Sequence, residues 1–226
     1  MLKVEKEIAF SYSRLKAFED CPRRYDETVN KKGKWPEARS SQLDWGDAVH
    51  AAMANALKTG TPLPTVFRIF QHWIDKINRT PGELLVEEDC KWAITRQFAP
   101  TPWFAKNVWL RVVADAVKLD GDAALVVDWK AGKSSNVDPL QLILTSLVML
   151  VLFPELQAVR SDFIWLQEDD QTTQVLYRNE AADHWAELLP RVRLLEAATR
   201  DNHFPPKPNR FCKSWCPIKS CEFWGK

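Results

Sequence analysis

The stretch Ala124-Leu125-Val126-Val127-Asp128-Trp129-Lys130 decides the fold. It reads as an apolar strand, and strand alternation sets the Asp128 carboxylate and the Lys130 ammonium on one face while Val127 and Trp129 point to the other. Upstream, residues 108–118 are rich in β-branched side chains and predict a second strand. Leu119-Asp120-Gly121-Asp122 supplies the turn chemistry that joins the two into a hairpin. Within the first strand, Asp115 lies in the run Val112-Val113-Ala114-Asp115-Ala116-Val117, where a lone carboxylate costs free energy to bury unless something pairs with it. A hairpin turning at 120–122 sets Asp115 close to Asp128 across the ladder. Two adjacent carboxylates repel, and a divalent cation is the usual relief. Hard oxygen ligands suit Mg²⁺ or Mn²⁺. A neighbouring lysine offers what phosphodiester hydrolysis needs, orienting the attacking water and stabilising charge on the phosphate. An isolated D-x-K is far more often a surface ion pair, so the context of the pair decides its reading.

Outward from the hairpin, Phe10-Ser11-Tyr12-Ser13 opens a short capped helix that carries Leu15 and Phe18, and Cys21-Pro22 restarts the chain into Arg23-Arg24-Tyr25. Residues 31–40 form a polar, basic loop. Leu43, Gly46, Val49, His50, Met53 and Leu57 recur at helical spacing, which predicts a helix over 41–58 stopped by Gly60, and 63–77 reads as another helix. Residues 84–98 are mixed and read as strand. A strongly apolar helix covers 138–152, entered through Pro139 and stopped at Pro154. The segments 163–167 and 172–177 form a strand pair around Glu168-Asp169-Asp170-Gln171. An amphipathic helix over 180–199 precedes the linker Pro205-Pro206-Lys207-Pro208. This order predicts an α/β fold with a central mixed β-sheet flanked by helices.

Cys212, Cys216 and Cys221 crowd the end of the sequence, and Cys21 stands at the opposite end. Four thiolates are the usual donor set of an iron-sulfur cluster or a structural zinc, and this spacing would tie the two terminal segments together. A disulfide framework is the competing reading. It is weakened because 226 residues with 46% hydrophobic residues bury a core without staples, and because five cysteines cannot all pair. No leader and no apolar run long enough for a membrane is seen, so a reducing, cytoplasmic setting without membrane association is expected. Cys90 stands alone and reads as an ordinary buried thiol. The formal charge of +1 argues against a highly basic nucleic-acid coat, and neither GxGxxG nor GxxxxGK[ST] occurs.

Asp115 with Asp128-Trp129-Lys130 resembles the core of the PD-(D/E)xK nucleases, and the four-cysteine bracket resembles their RecB-like, iron-sulfur branch, which includes CRISPR-adaptation nucleases and phage exonucleases. Ser11-Tyr12-Ser13-Arg14-Leu15 leading into Cys21-Pro22-Arg23-Arg24-Tyr25 is similar to that family's opening segment. Gly46-Asp47-Ala48-Val49-His50 is similar to its Gly-x-x-x-His helix, and Gln141-Leu142 to its Gln motif. The resemblance implies a single nuclease domain over 1–226, with a restriction-endonuclease-like core over 41–199 and with 1–30 and 200–226 forming a terminal module around a [4Fe-4S] cluster held by Cys21, Cys212, Cys216 and Cys221, zinc being the alternative. It also implies that His50, Asp115, Asp128 and the backbone carbonyl of Trp129 ligate Mg²⁺ or Mn²⁺. Lys130 would then be the catalytic lysine, with Gln141 positioning it or the phosphate. Three features depart from the family pattern: Val112 stands where a glycine is common, Thr145 where a tyrosine is, and the cysteines are separated by three and four residues rather than two and five.

The activity so implied is a metal-dependent DNA exonuclease acting on single strands or ends, with a recombination or CRISPR-adaptation protein as a further partner. A non-catalytic DNA-binding or adaptor subunit is the alternative. Independently of the family, His50 on an apolar helix face also reads as a core histidine, and Gln141 as a polar helix-start residue. Arg23, Arg24, Lys31, Lys32 and Lys34 are candidates for a phosphate path, and Trp35 or Trp45 for base stacking. Glu87 and Glu88 are further acidic candidates.

Overall fold

The hairpin expected around residues 119–122 is present in the computed structural model, which describes residues 8–31, 41–134 and 138–226. The chain divides into two compact units, one of residues 39–184 and one of residues 1–38 with 185–226.

In the smaller unit, α1 (Tyr12–Asp20) starts at Ser11, whose hydroxyl accepts from the Arg14 backbone N–H at 3.5 Å, and α2 (Pro22–Tyr25) starts on Pro22. Pro22 costs nothing there because a first-turn N–H has no helical partner anyway. Phe10, Leu15, Phe18 and Tyr25 are buried, and the rings of Phe18 and Tyr25 meet edge-on.

The larger unit opens with α3 (Ser41–Thr59), ended by Gly60 at a φ of 70°. The helix expected over 63–77 is a 3₁₀ stretch, Thr65–Phe70, followed by α4 (Gln71–Arg79). Its start is tightened because the Gln71 side chain accepts the Leu63 N–H and Arg68 donates to the Leu63 carbonyl. Next come β1 (Glu83–Val86), β2 (Lys91–Ile94), β3 (Pro100–Thr101), β4 (Leu110–Val113), β5 (Ala116–Asp120) and β6 (Ala123–Lys130). After them lie α5 (Leu140–Leu152), β7 (Ala158–Trp165) and β8 (Asp170–Tyr177), and α6 (Ala181–Arg200) carries the chain into the smaller unit.

Among the described residues the strands form a sheet of order β1-β5-β6-β7-β8 and a smaller one of order β3-β2-β4. The larger sheet is mixed: β6 and β7 are parallel and joined through α5, as a parallel pair requires, and the other neighbours are antiparallel. Val127 and Trp129 pack with Val49, Met53, Trp73 and Ile74 of α3 and α4 on one face. On the other face Leu142 of α5 packs with Phe163 and Trp165, and the hydroxyls of Ser146 and Ser161 share a buried hydrogen bond of 2.8 Å. The α/β fold with a central mixed sheet flanked by helices is therefore present.

Two segments differ from their single-strand reading. Residues 108–118 are two strands in two different sheets, and the break falls at Ala114-Asp115. There the Ala114 N–H still follows the small sheet to the Cys90 carbonyl, while the Asp115 N–H crosses to the Val127 carbonyl of β6. Residues 84–98 are likewise β1 and β2 separated by a 3₁₀ turn, Glu87–Cys90, entered through Glu87 at a φ of 55°. The strand expected over 163–167 begins earlier, at Ala158.

Candidate active site

The β5–β6 register ends with Ala116 paired to Val127, and the Asp115 N–H donates to the same Val127 carbonyl, so Asp115 borders the ladder where Asp128 follows Val127. β6 delivers Asp128 and Lys130 on one face, and the first turn of α5 brings Gln141 to them. Gln141 Nε2 donates to Asp128 Oδ2 at 2.6 Å, Lys130 Nζ donates to Gln141 Oε1 at 3.0 Å, and Lys130 Nζ stands 3.0 Å from Asp128 Oδ2. The three side chains close a triangle in which the amide satisfies the carboxylate with one end and the ammonium with the other. Lys130 Nζ also lies 4.5 Å from the centroid of the Phe163 ring, on the strand paired with β6.

Asp115 is fixed from two sides. Its Oδ2 accepts the backbone N–H of Trp129 at 2.7 Å, and its Oδ1 lies 3.1 Å from Nδ1 of His50 on α3. The Trp129 indole is 1% exposed and anchors that donor in the core. Asp128 is 8% exposed. Burial pushes its carboxyl up, to about 6; the Lys130 charge opposes the rise and the Asp115 charge adds to it. For His50, burial works against the imidazolium, yet the hydrogen bond and charge of Asp115 and the charge of Asp128 outweigh it, and its pKa is raised.

The donors at this site suit a hard divalent cation in kind: two carboxylates and an imidazole. Asp128 Oδ2 takes both donors from Lys130 and Gln141, which leaves Oδ1 of a buried carboxylate without a hydrogen bond among the described residues. That is the atom a cation would complete. Among the described residues, no group of three or more His, Cys, Asp or Glu side chains is already gathered closely enough to hold a metal ion. His50 and Asp115 meet each other, while Asp128 is held by Lys130 and Gln141.

Other candidates fall elsewhere. Glu87 meets Asp115 only through a backbone hydrogen bond to its carbonyl, and Glu88 pairs with Lys91 at 2.6 Å on the surface. Trp45 packs edge-on against Phe67 and Phe70, so it serves the core. In the smaller unit Arg23 pairs with Glu222, Arg24 with Asp20, and Lys31 with Asp26 and Glu27. Lys32, Lys34 and Trp35 lie outside the described residues. Sequence reasoning missed Phe163 and the Trp129 N–H, because an apolar strand residue and a backbone donor carry no residue-type signal.

None of the cysteines forms a disulfide. Cys90 is buried, and burial pushes its thiol up to about 12. Cys21, Cys212, Cys216 and Cys221 are half-buried and line one pocket of the smaller unit together with Arg23, Arg24 and Lys207. The Lys207 N–H points at Cys21 Sγ and the Asn209 N–H at Cys212 Sγ, each at 3.4 Å. A shared pocket, half-exposed thiols and amide donors to sulfur suit a thiolate-held metal group in kind.

Among curated proteins, none matches this chain. A solved structure from Eubacterium rectale, described as a "Putative exonuclease", is similar to it with a TM-score of 0.52 at 13% identity, covering 93% of this chain and 87% of that one. At such identity the likeness concerns the fold. The crystal structure of the protein designated SSO0001 matches with a TM-score of 0.44 at 15% identity, over 99% of this chain and 90% of its own. Among the described residues no helix is long and apolar enough to cross a membrane. The model of the PD-(D/E)XK nuclease superfamily matches residues 9–221, and with the Asp115, Asp128 and Lys130 constellation on the β5–β6 hairpin, the chain belongs to that superfamily.

Proposed function

We propose that this nuclease is a Mg²⁺- or Mn²⁺-dependent deoxyribonuclease acting from single strands or strand ends. The observation that carries the reading is the closed triangle of Asp128, Lys130 and Gln141 beside Asp115, which accepts the N–H of Trp129, the residue between Asp128 and Lys130. His50, Asp115, Asp128 and the Trp129 carbonyl would hold the cation. When bound, such an ion supplies Lewis acidity toward the scissile phosphate and the attacking water. Lys130 donates toward the charge that develops on the phosphate, and Gln141 keeps its ammonium aimed while fixing Asp128. Asp115, clamped by the Trp129 N–H, is held in place before substrate arrives.

The test is cleavage of end-labelled single- and double-stranded DNA with Mg²⁺, Mn²⁺ or chelator, beside Lys130→Ala. Loss of about 10²-fold or more in the variant is expected. Degradation at the parent rate would sink the assignment.

The four cysteines of the smaller unit are proposed to hold a structural [4Fe-4S] cluster, as in the RecB-like branch, in a reducing cytoplasmic setting. Support comes from their shared pocket and the amide donors to sulfur. A brown protein whose visible absorption bleaches on reduction is expected; a colourless anaerobic preparation with stoichiometric zinc would replace the cluster by zinc. Recombination, repair or CRISPR adaptation, each with a protein partner, is the setting such chemistry would serve.

A further inference from the structure

Between Asp89 and Asp115 the sequence holds Lys91, Arg96, Lys106 and Arg111 and not one carboxylate, in a chain whose 31 basic and 30 acidic residues otherwise nearly balance. The same stretch carries Trp92, Phe98, Trp103, Phe104 and Trp109. It builds the β3-β2-β4 sheet and its loops.

Register sorts these residues by face. Lys91 lies opposite Val113, and Ala93 opposite both Arg111 and Thr101, so Lys91, Ala93, Thr101, Arg111 and Val113 share one face. The other face turns inward, where Trp92 meets Phe153 edge-on. On the outer face the Arg111 guanidinium lies 5.5 Å from the centroid of the Trp103 ring and its Nε donates to the Trp103 carbonyl at 3.0 Å, so cation and indole form one plate. Val113 is 44% exposed and Phe104, in the β3–β4 loop, 89% exposed. An open cavity of about 390 Å³ at the edge of this sheet is lined by Lys91, Thr101 and Trp103 and, from the inward-turned side, by Trp92 with Leu152 of α5. Glu88 neutralises Lys91 at one margin of this face; the rest, exposed aromatic surface beside Arg111 and Lys106, fits a strand with a charged backbone and flat apolar bases.

The small sheet is also continuous with the candidate site. β4 ends at Val113, and the Glu87 N–H on the way into β2 donates to the Asp115 carbonyl at 3.1 Å. The chain therefore passes Asp115 both on its way into this sheet and on its way out.

Resting on the nuclease reading of the Asp115, Asp128 and Lys130 site, we infer that the outer face of the β3-β2-β4 sheet is the platform on which a single DNA strand lies as it enters that site. Phe104 stacks on a base, and Lys106 and Arg111 follow the phosphates. Duplex DNA cannot use Phe104 this way, because its base faces are already stacked.

The experiment measures fluorescence anisotropy of labelled oligo(dT) and of a blunt duplex with the full-length protein in chelator, so that no cleavage intervenes. Phe104→Ala is expected to raise the single-strand Kd about tenfold and leave the duplex Kd within twofold. Lys106→Gln is expected to reduce the salt slope of single-strand binding by about 0.7. Phe104 has so little buried surface that its variant should melt with the parent. A parent-like Kd for oligo(dT) in Phe104→Ala, an equal loss on the duplex, or no oligo(dT) binding by the parent would each overturn the platform; the first is also the result expected if a protein partner covers this face. The Lys130→Ala cleavage assay separates the two readings. Cleavage lost in that variant with parent-like binding by Phe104→Ala removes the platform and keeps the nuclease; the reverse pattern does the opposite.

Discussion

Replacing Asp128 by Asn should make the cation-free protein more stable at neutral pH while removing its activity. The carboxyl is 8% exposed, and burial raises its pKa from 3.8 to about 6 even though Lys130 stands 3.0 Å away. A folded-state pKa above the unfolded one means that the folded protein binds the proton more tightly. Asp128 therefore imposes no penalty below about pH 4, a growing one as pH rises toward 6, and the full one above that. A rise of about two units corresponds to about 3 kcal/mol of stability withheld at pH 7. Asn cannot ionise, yet its amide oxygen can still accept from Gln141 and Lys130, so the variant sheds the penalty and keeps the contacts. Urea denaturation in chelator at pH 4 and pH 7 measures this directly. The unfolded carboxyl is already about half ionised at pH 4, so the stability of the variant relative to the parent should grow by about 2 kcal/mol between the two pH values. Adding Mg²⁺ at pH 7 should then stabilise the parent and not the variant, since a ligand stabilises only the form that binds it. A variant whose advantage is the same at both pH values, or which is less stable than the parent at pH 7 by more than at pH 4, would refute the electrostatic reasoning.

Gln141→Ala removes both the 2.6 Å bond to Asp128 and the 3.0 Å bond from Lys130; hydrogen bonds to charged groups are worth about 1.5–3 kcal/mol, so single-turnover cleavage should slow about 10–100-fold and need more Mg²⁺ for half-maximal rate. In the native metal-free protein at pH 8, a thiol reagent should titrate Cys21, Cys212, Cys216 and Cys221 and spare Cys90, whose pKa stands near 12, until denaturant is added. Cys216→Ala should lower the melting temperature of protein purified anaerobically and impair DNA binding more than Mg²⁺ binding; an unchanged melting temperature would contradict a structural role for the four-cysteine group.

The β5–β6 hairpin was legible because its signals are local: alternating apolar residues and turn chemistry around Gly121, with Asp115 just before one strand and Asp128 within the other. The α5 helix and its boundary at Pro154 were legible for the same reason. What the sequence hid is where a strand changes partners. Residues 108–118 read as one strand since Val, Ala and Leu suit either sheet equally, and hydropathy does not record which ladder receives an N–H. The switch falls at Asp115, whose neighbour Ala114 bonds to Cys90 while Asp115 itself bonds to Val127. A carboxylate at the end of a regular ladder would have its neighbours paired on both sides. At the junction of two sheets it is free to take the Trp129 N–H with one oxygen and face His50 with the other. The same fork turns the carboxylate-free stretch 90–114 outward into its own sheet and leads it back to the site. The irregularity that defeated the strand reading is thus the device that brings the proposed metal ligand and the proposed strand platform to one place, which is where local sequence rules are expected to break.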